Sequence, residues 1–114
     1  MKHIDPLRAA REAVAPGPSR PATAILHDSP DARLVVFRLA PGQSVPPHRS
    51  SSSVQLTVLA GIGMLAAEVE GEAREGRFGV GDVVTYEPNE THWMRAVEDE
   101  LLLLASITPR PGVR

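Results

Sequence analysis

The chain has 114 residues, a formal net charge of −2 and 42% hydrophobic residues, values that fit one globular domain of the soluble type. It contains no cysteine, which excludes disulfides, thiolate ligands and cysteine nucleophiles. Basic residues are scattered, and the longest apolar runs, such as Leu101 to Ala105, are too short to span a bilayer, so we expect neither a nucleic-acid nor a membrane partner. The N-terminus lacks a signal-peptide core, which predicts a cytoplasmic protein.

The first residues differ in pattern from the rest of the chain. Asp5 as N-cap and Pro6 as first helical residue predict a short helix that extends to about Val14. Prolines and a glycine in residues 16–21 indicate an irregular connector. We expect this arm to lie over the main domain or a partner subunit, or to be partly mobile. The predicted organisation is an arm at residues 1–22, a barrel at 23–109 and a tail at 110–114.

Beyond the arm, short apolar segments between glycine and proline turns predict β-strands. The clearest alternation lies in residues 33–40, where Val35, Phe37 and Leu39 share one face. Glu70 to Glu72 resembles a hairpin turn, and the last two strands are predicted to pair with each other. The predicted strands are 23–27, 33–40, 54–60, 62–69, 72–78, 83–86, 92–97 and 101–107. About eight short strands of this kind are typical of an all-β barrel or sandwich.

The four leucines from Leu101 to Leu104 do not alternate with polar residues. A strand that is apolar on both faces is buried on both faces, so one face serves the barrel core and the other needs a cover. The arm or another subunit can supply that cover. With Trp93 on the strand predicted to be its neighbour, we favour a homodimer.

Two glycine-to-histidine segments carry a family resemblance. Gly42 is separated by five residues from His48, and Gly61 lies further on. A second segment runs from Gly81 to His92, with a turn between them. These spacings resemble the two motifs of the cupins, which are G, five residues, HxH, three or four residues, E, six residues, G, and then G, five residues, PxG, two residues, H.

The resemblance covers about residues 33–107. It implies a small single-domain cupin of the RmlC-like jelly-roll type, an all-β double-stranded β-helix, here with a short N-terminal arm. Cupins commonly pair through their sheets, which agrees with the predicted homodimer. Asn89 stands where the second motif has glycine, and asparagine tolerates the left-handed backbone that a turn needs.

The cupin metal site uses three histidines and one carboxylate, and the resemblance assigns two of these positions to His48 and His92. Ser50 replaces the remaining histidine. The carboxylate position falls on Val54 when the motif is counted back from Gly61. It falls on Gln55 when the motif is counted forward from Ser50. Strand alternation points Val54 inward with His48, and Gln55 faces inward only if the serine tract carries a β-bulge.

Two interpretations of the histidines therefore stay open. In one, His48, His92 and Gln55 hold a divalent metal such as Zn, Fe, Mn or Ni. In the other, the histidines are neutral and hydrogen-bonded to Ser50, Tyr86 or water.

Three functions follow from these interpretations. The first is binding of a small organic ligand in the barrel, next to a degenerate metal site. The second is a metal-dependent cupin enzyme of the oxygenase, isomerase or lyase type that uses the three metal-site residues. The third is a non-catalytic dimerising module, and the sequence leaves open whether the protein is an enzyme. The candidate ligand-binding residues are His48, Ser50, Gln55, Tyr86, His92 and Met94.

Overall fold

The computed structural model describes residues 1–112, and Val113 and Arg114 of the predicted tail lie outside the described residues. Within residues 1–112 the elements are α1 (Pro6–Glu12), β1 (Ala22–Asp28), β2 (Arg33–Leu39), β3 (Ser44–His48), β4 (Ser53–Ala60), β5 (Gly63–Val69), β6 (Glu72–Phe78), β7 (Val83–Tyr86), β8 (His92–Ala96) and β9 (Leu101–Thr108). None of the helices in this range is long and apolar enough to cross a membrane.

The strands form two antiparallel sheets. One sheet has the order β1-β2-β9-β4-β7 and the other has the order β3-β8-β5-β6. The core between them is aliphatic, because the chain has few aromatic residues, and its most deeply buried members include Leu39, Leu56, Leu101, Leu103 and Val58. The predicted all-β class is confirmed.

Two predictions about the strands are wrong. The sequence pattern did not predict β3, because two of its five residues are Pro46 and Pro47, which have no amide hydrogen for the ladder. It forms because it lies at a sheet edge and pairs with β8 alone. The final two strands do not pair with each other, since β8 lies in the four-stranded sheet and β9 lies between β2 and β4. Trp93 and the leucine run are therefore on different sheets.

The N-terminal arm covers the outer face of the five-stranded sheet. Its helix begins as predicted, with the Asp5 side chain accepting a hydrogen bond from the Arg8 amide. Ala10 packs against Val36 and Leu102, and all three are buried. Of the two covers considered for the leucine run, the arm is the one that contacts Leu102. The leucine run therefore no longer supports a homodimer, which stays a prediction.

Two positions with left-handed backbone shape turns at the two ends of the barrel: Gly61 lies beside Glu100 at the end away from the histidines, and Asn89 lies in the turn before β8. Gly61 has φ +81°, and a Cβ there would lie 2.1 Å from the carbonyl oxygen of Glu100, so a side chain does not fit. Asn89 has φ 66°, as its place in the second motif predicts. Its amide donates a hydrogen bond of 2.7 Å to the Ser50 carbonyl. The turn before β8 is thereby attached to the serine tract after β3.

Candidate functional site

A β-bulge places His48 opposite His92. In the pairing of β3 with β8, Val45 lies opposite Met94 and His48 opposite His92, so β3 carries one extra residue between the two pairs. The extra residue belongs to the Pro46-Pro47 dipeptide. Because side chains alternate along a strand, His48 would face away from Val45 without the bulge. The bulge lies in these prolines and not in the serine tract.

The two imidazoles contact each other at the open end of the sandwich. Their ring centroids are 4.2 Å apart and the planes meet at 63°, an edge-to-face arrangement. His92 is 2% exposed, whereas His48 is exposed. His48 Nδ1 lies 2.9 Å from the Pro46 carbonyl oxygen, and His92 Nδ1 lies 3.0 Å from that of Glu90.

These contacts fix the tautomer of each neutral ring. A carbonyl oxygen can only accept a hydrogen bond, so each Nδ1 donates and each Nε2 carries a lone pair. The Nδ1 partners are backbone carbonyls, and Tyr86 is not a partner because its hydroxyl makes no hydrogen bond within residues 1–112. A bond from Nε2 to Ser50 or to water stays a prediction. The pair therefore presents two acceptor nitrogens to whatever occupies the adjacent space.

The ring of Tyr86 stacks on the imidazole of His92. The two rings stack with centroids 4.3 Å apart and planes within 13°. Tyr86 is 4% exposed, and its hydroxyl has no hydrogen-bond partner among the described residues. Burial, with the Glu90 charge, raises the pKa of Tyr86 to about 12. Burial lowers the pKa of His92, opposed by its hydrogen bond to the Glu90 backbone. Both rings therefore favour their neutral forms at neutral pH.

A cavity of about 420 Å³ opens next to the histidine pair, and we call it the histidine cavity. Its mouth is polar and its floor is apolar. The mouth residues are His48, Arg49, Ser50, Ser51 and His92, and the floor and rim residues are Phe37, Val54, Leu56, Met94, Ala105, Ile107 and Pro111. Of the predicted ligand-binding residues, the structure brings four together here: His48, Ser50, His92 and Met94. Among residues 1–112 no aspartate or glutamate lines this cavity.

Gln55 does not join the site, and its prediction as a cavity or metal residue is wrong. The pairing of β4 with β9 runs without a bulge from Ser53 to Val58. Alternation therefore points Val54 and Leu56 into the core and Gln55 outward, where it is exposed.

Tyr86 also lies apart from the histidine cavity. It lines a second cavity of about 290 Å³ between β6 and β7, with Arg74, Phe78 and Glu90 among its neighbours. Its contribution to the histidine cavity is indirect, through the ring stacked on His92.

The residues at the pair do not fit the metal that the cupin resemblance implies. Catalytic zinc takes three protein ligands, and the iron facial triad takes two histidines and a carboxylate. The described part of the chain offers two imidazole nitrogens here, and it holds no group of three or more histidines and carboxylates placed to bind one ion. These residues therefore do not support metal-dependent chemistry at the histidine pair.

Arg49 and Ser51 line the cavity mouth although sequence reasoning did not select them. The Arg49 Nε donates a hydrogen bond of 2.9 Å to Thr91 Oγ1, which links the end of β3 to the start of β8. Strand alternation predicts side-chain direction only within a strand, and β3 ends at His48. No signal in the sequence aims either residue at the cavity.

Comparison with known proteins agrees with this architecture. The sequence model described as the cupin domain matches residues 35–108. The chain belongs to the cupin family. No curated protein matches this cupin. The double-stranded β-helix implied by the two motifs is thus confirmed.

Three solved structures illustrate the shared fold. An uncharacterized conserved protein with a double-stranded β-helix domain from Klebsiella pneumoniae is 18% identical, with a TM-score of 0.81 over 98% of this chain and 95% of the other. An RmlC-like cupin protein from Desulfovibrio desulfuricans is 26% identical, with a TM-score of 0.75 over 96% and 97%. KdgF from Halomonas sp. is 22% identical, with a TM-score of 0.75 over 89% and 88%.

Proposed function

We propose that this cupin binds a small organic molecule in the histidine cavity without a resident metal. The observation that carries the proposal is the cavity itself, about 420 Å³ with an apolar floor and a cluster of polar groups at one end. Ligand sites in proteins are concave spaces of about 300–1,000 Å³ with this division between apolar lining and a few polar groups.

The histidine pair indicates how such a ligand is oriented. Both Nδ1 atoms are engaged by backbone carbonyls, so both Nε2 atoms are acceptors when the rings are neutral. Burial favours the neutral form of His92. A ligand with a hydroxyl or amide hydrogen near the mouth satisfies an imidazole nitrogen while its apolar part contacts residues such as Met94 and Ile107.

The apolar floor favours binding of the apolar part of the ligand, whose surface is removed from water there. Removal of apolar surface from water contributes about 25 cal/mol per Å². Val54, Leu56 and Met94 are already buried and belong to the core between the sheets, so the floor is preformed. A preformed floor lowers the ordering cost on binding. The metal-dependent enzyme is the weaker candidate, because Gln55 lies outside the cavity.

The test combines a fragment panel with a variant that blocks the mouth. Thermal shift and ligand-observed NMR are measured in EDTA with neutral, anionic and cationic fragments. A fragment at about 100 times its Kd stabilises the native state by about 2.7 kcal/mol. Ser51→Trp places a large side chain at the exposed rim of the cavity, and we expect it to abolish binding.

Gln55→Trp is the control, because it introduces the same large residue at an exposed position outside the cavity. We expect it to bind fragments as the native chain does. Absence of binding across all three charge classes contradicts the proposal, and so does binding that Ser51→Trp leaves unchanged.

A further inference from the structure

The charged lining of the histidine cavity is basic, without an acidic residue among the described ones. Arg49 is the residue with a permanent charge in its lining. The remaining polar lining groups are serine hydroxyls and the two imidazoles. A ligand with a cationic group would meet repulsion here, and a ligand with an anionic group would find a partner.

The guanidinium of Arg49 is held in place but not neutralised. Its Nε donates to Thr91 Oγ1 at 2.9 Å, which fixes one edge of the planar group. Within residues 1–112 the two terminal nitrogens have no hydrogen-bond acceptor, and no carboxylate forms an ion pair with this side chain. Two parallel N–H donors on a planar group match the two oxygens of a carboxylate.

We propose that the ligand of the histidine cavity is a small carboxylate whose anionic group binds the free terminal nitrogens of Arg49. This inference rests on the proposed function, since it assigns a chemical class to the ligand of the same cavity. The carboxylate lies at the mouth, where Arg49 and Ser51 are exposed, and the carbon chain extends onto the apolar floor.

The volume sets the scale of the ligand. A space of about 420 Å³ equals the liquid volume of about 14 water molecules, which accommodates a ligand of roughly ten non-hydrogen atoms. A carboxylate with a chain of about six carbons is therefore a suitable probe.

The experiment uses two probes that differ only in the end group, which is a carboxylate in one and a neutral amide in the other. These are 2-hydroxyhexanoate and 2-hydroxyhexanamide, which share the carbon chain and the hydroxyl that can donate to an imidazole Nε2. Kd is measured by calorimetry at low salt, on untreated protein and on protein treated with EDTA and then dialysed free of it. A hydrogen bond to a charged group corresponds to a preference of about ten- to one-hundred-fold, and we expect the native chain to favour the carboxylate by at least about tenfold.

Variants then assign the preference to one side chain. Arg49→Gln should remove the tenfold preference while leaving amide binding in place, and Arg49→Lys should retain part of it. Arg77→Gln is the matched control, because Arg77 is exposed on β6, lies outside the cavity and gives the same change in net charge. We expect the Arg77 variant to keep the full preference.

The outcomes separate this inference from the proposed function. If the amide binds as tightly as the carboxylate, or if the preference survives Arg49→Gln, the carboxylate assignment is overturned while the cavity remains a ligand site. If prior metal removal abolishes carboxylate binding, a metal supplies the charge and the assignment fails. If neither probe binds while neutral fragments do, the assignment also fails and the proposed function stands. If no fragment of any charge binds, both are overturned.

Discussion

Replacing Tyr86 with phenylalanine should stabilise this protein, although it deletes a polar group from a buried site. The Tyr86 hydroxyl is inaccessible and has no hydrogen-bond partner in residues 1–112. In the unfolded chain the same hydroxyl is bonded to water, so folding removes its partners without replacement. The ring itself is well used, because it stacks on His92 at 4.3 Å, and phenylalanine preserves that contact.

The magnitude follows from the cost of an unsatisfied group. A buried donor or acceptor without a partner costs about 1–3 kcal/mol. Loss of the oxygen leaves a small void that offsets part of this gain. We expect a net increase in the free energy of unfolding of about 1–2 kcal/mol, and a rise in Tm of roughly 3–10 °C for a domain of this size.

Urea denaturation provides the assay. The chain has one tryptophan, Trp93, on β8 next to His92, so its fluorescence reports unfolding of the strand that carries the site. Similar m-values for the native chain and the variant are required, because a change in m would indicate a change in the surface exposed on unfolding.

Thr85→Val is the control for this comparison. It removes a hydroxyl from the preceding residue of β7, where the side chain is exposed, and we expect a change within about 0.5 kcal/mol. A loss of about 1 kcal/mol or more in Tyr86→Phe would refute the reasoning. It would mean that the hydroxyl has a hydrogen-bond partner, such as an ordered water, in the native state.

Three further predictions concern ionisation, the arm and a turn. Tyr86, the one tyrosine of the chain, should ionise near pH 12 in the native state and near pH 10 in the unfolded state. The free energy of unfolding should therefore be unaffected below pH 10 and fall by about 2–3 kcal/mol as pH rises through 12. Tyrosinate absorbance measures the ionisation, and urea denaturation measures the stability. Leu102→Ala should cost about 2–5 kcal/mol, because Leu102 is 1% exposed beneath the arm, whereas Ile25→Ala at a 60% exposed side chain should cost under about 1 kcal/mol. Gly61→Ala should be at least about 2 kcal/mol more destabilising than Gly71→Ala, because both residues have φ +81° but only the first has a backbone oxygen where its Cβ would lie.

Each of these has a clear contrary result. A native tyrosine that titrates near pH 10 would mean that the phenol is accessible to water. Equal costs for the leucine and isoleucine variants would mean that the arm does not pack on the sheet in solution. Equal costs for the two glycine variants would mean that backbone strain alone, without the contact to Glu100, decides the turn.

At the site, the two histidines were predictable from the sequence, and the direction of Gln55 was not. The spacings from Gly42 to His48 and from Gly81 to His92 resemble the two cupin motifs, and that resemblance predicted the barrel and the meeting of these two rings. The same reasoning left the direction of Gln55 open, since a single inserted residue reverses every side chain after it. The structure places the bulge in Pro46-Pro47, before His48, and leaves β4 in register.

The amino-acid sequence by itself determined the all-β class, most strand positions, the start of α1 directly after its N-cap Asp5 and the left-handed turn at Asn89. Those features depend on local causes: alternation, caps and backbone conformations that few residues adopt. The tertiary structure decided which strands pair, that the arm contacts Leu102, that Gln55 is outside the cavity and that Arg49 is at its mouth. These features depend on contacts between residues far apart in the chain, such as Arg49 with Thr91, and no local pattern encodes them.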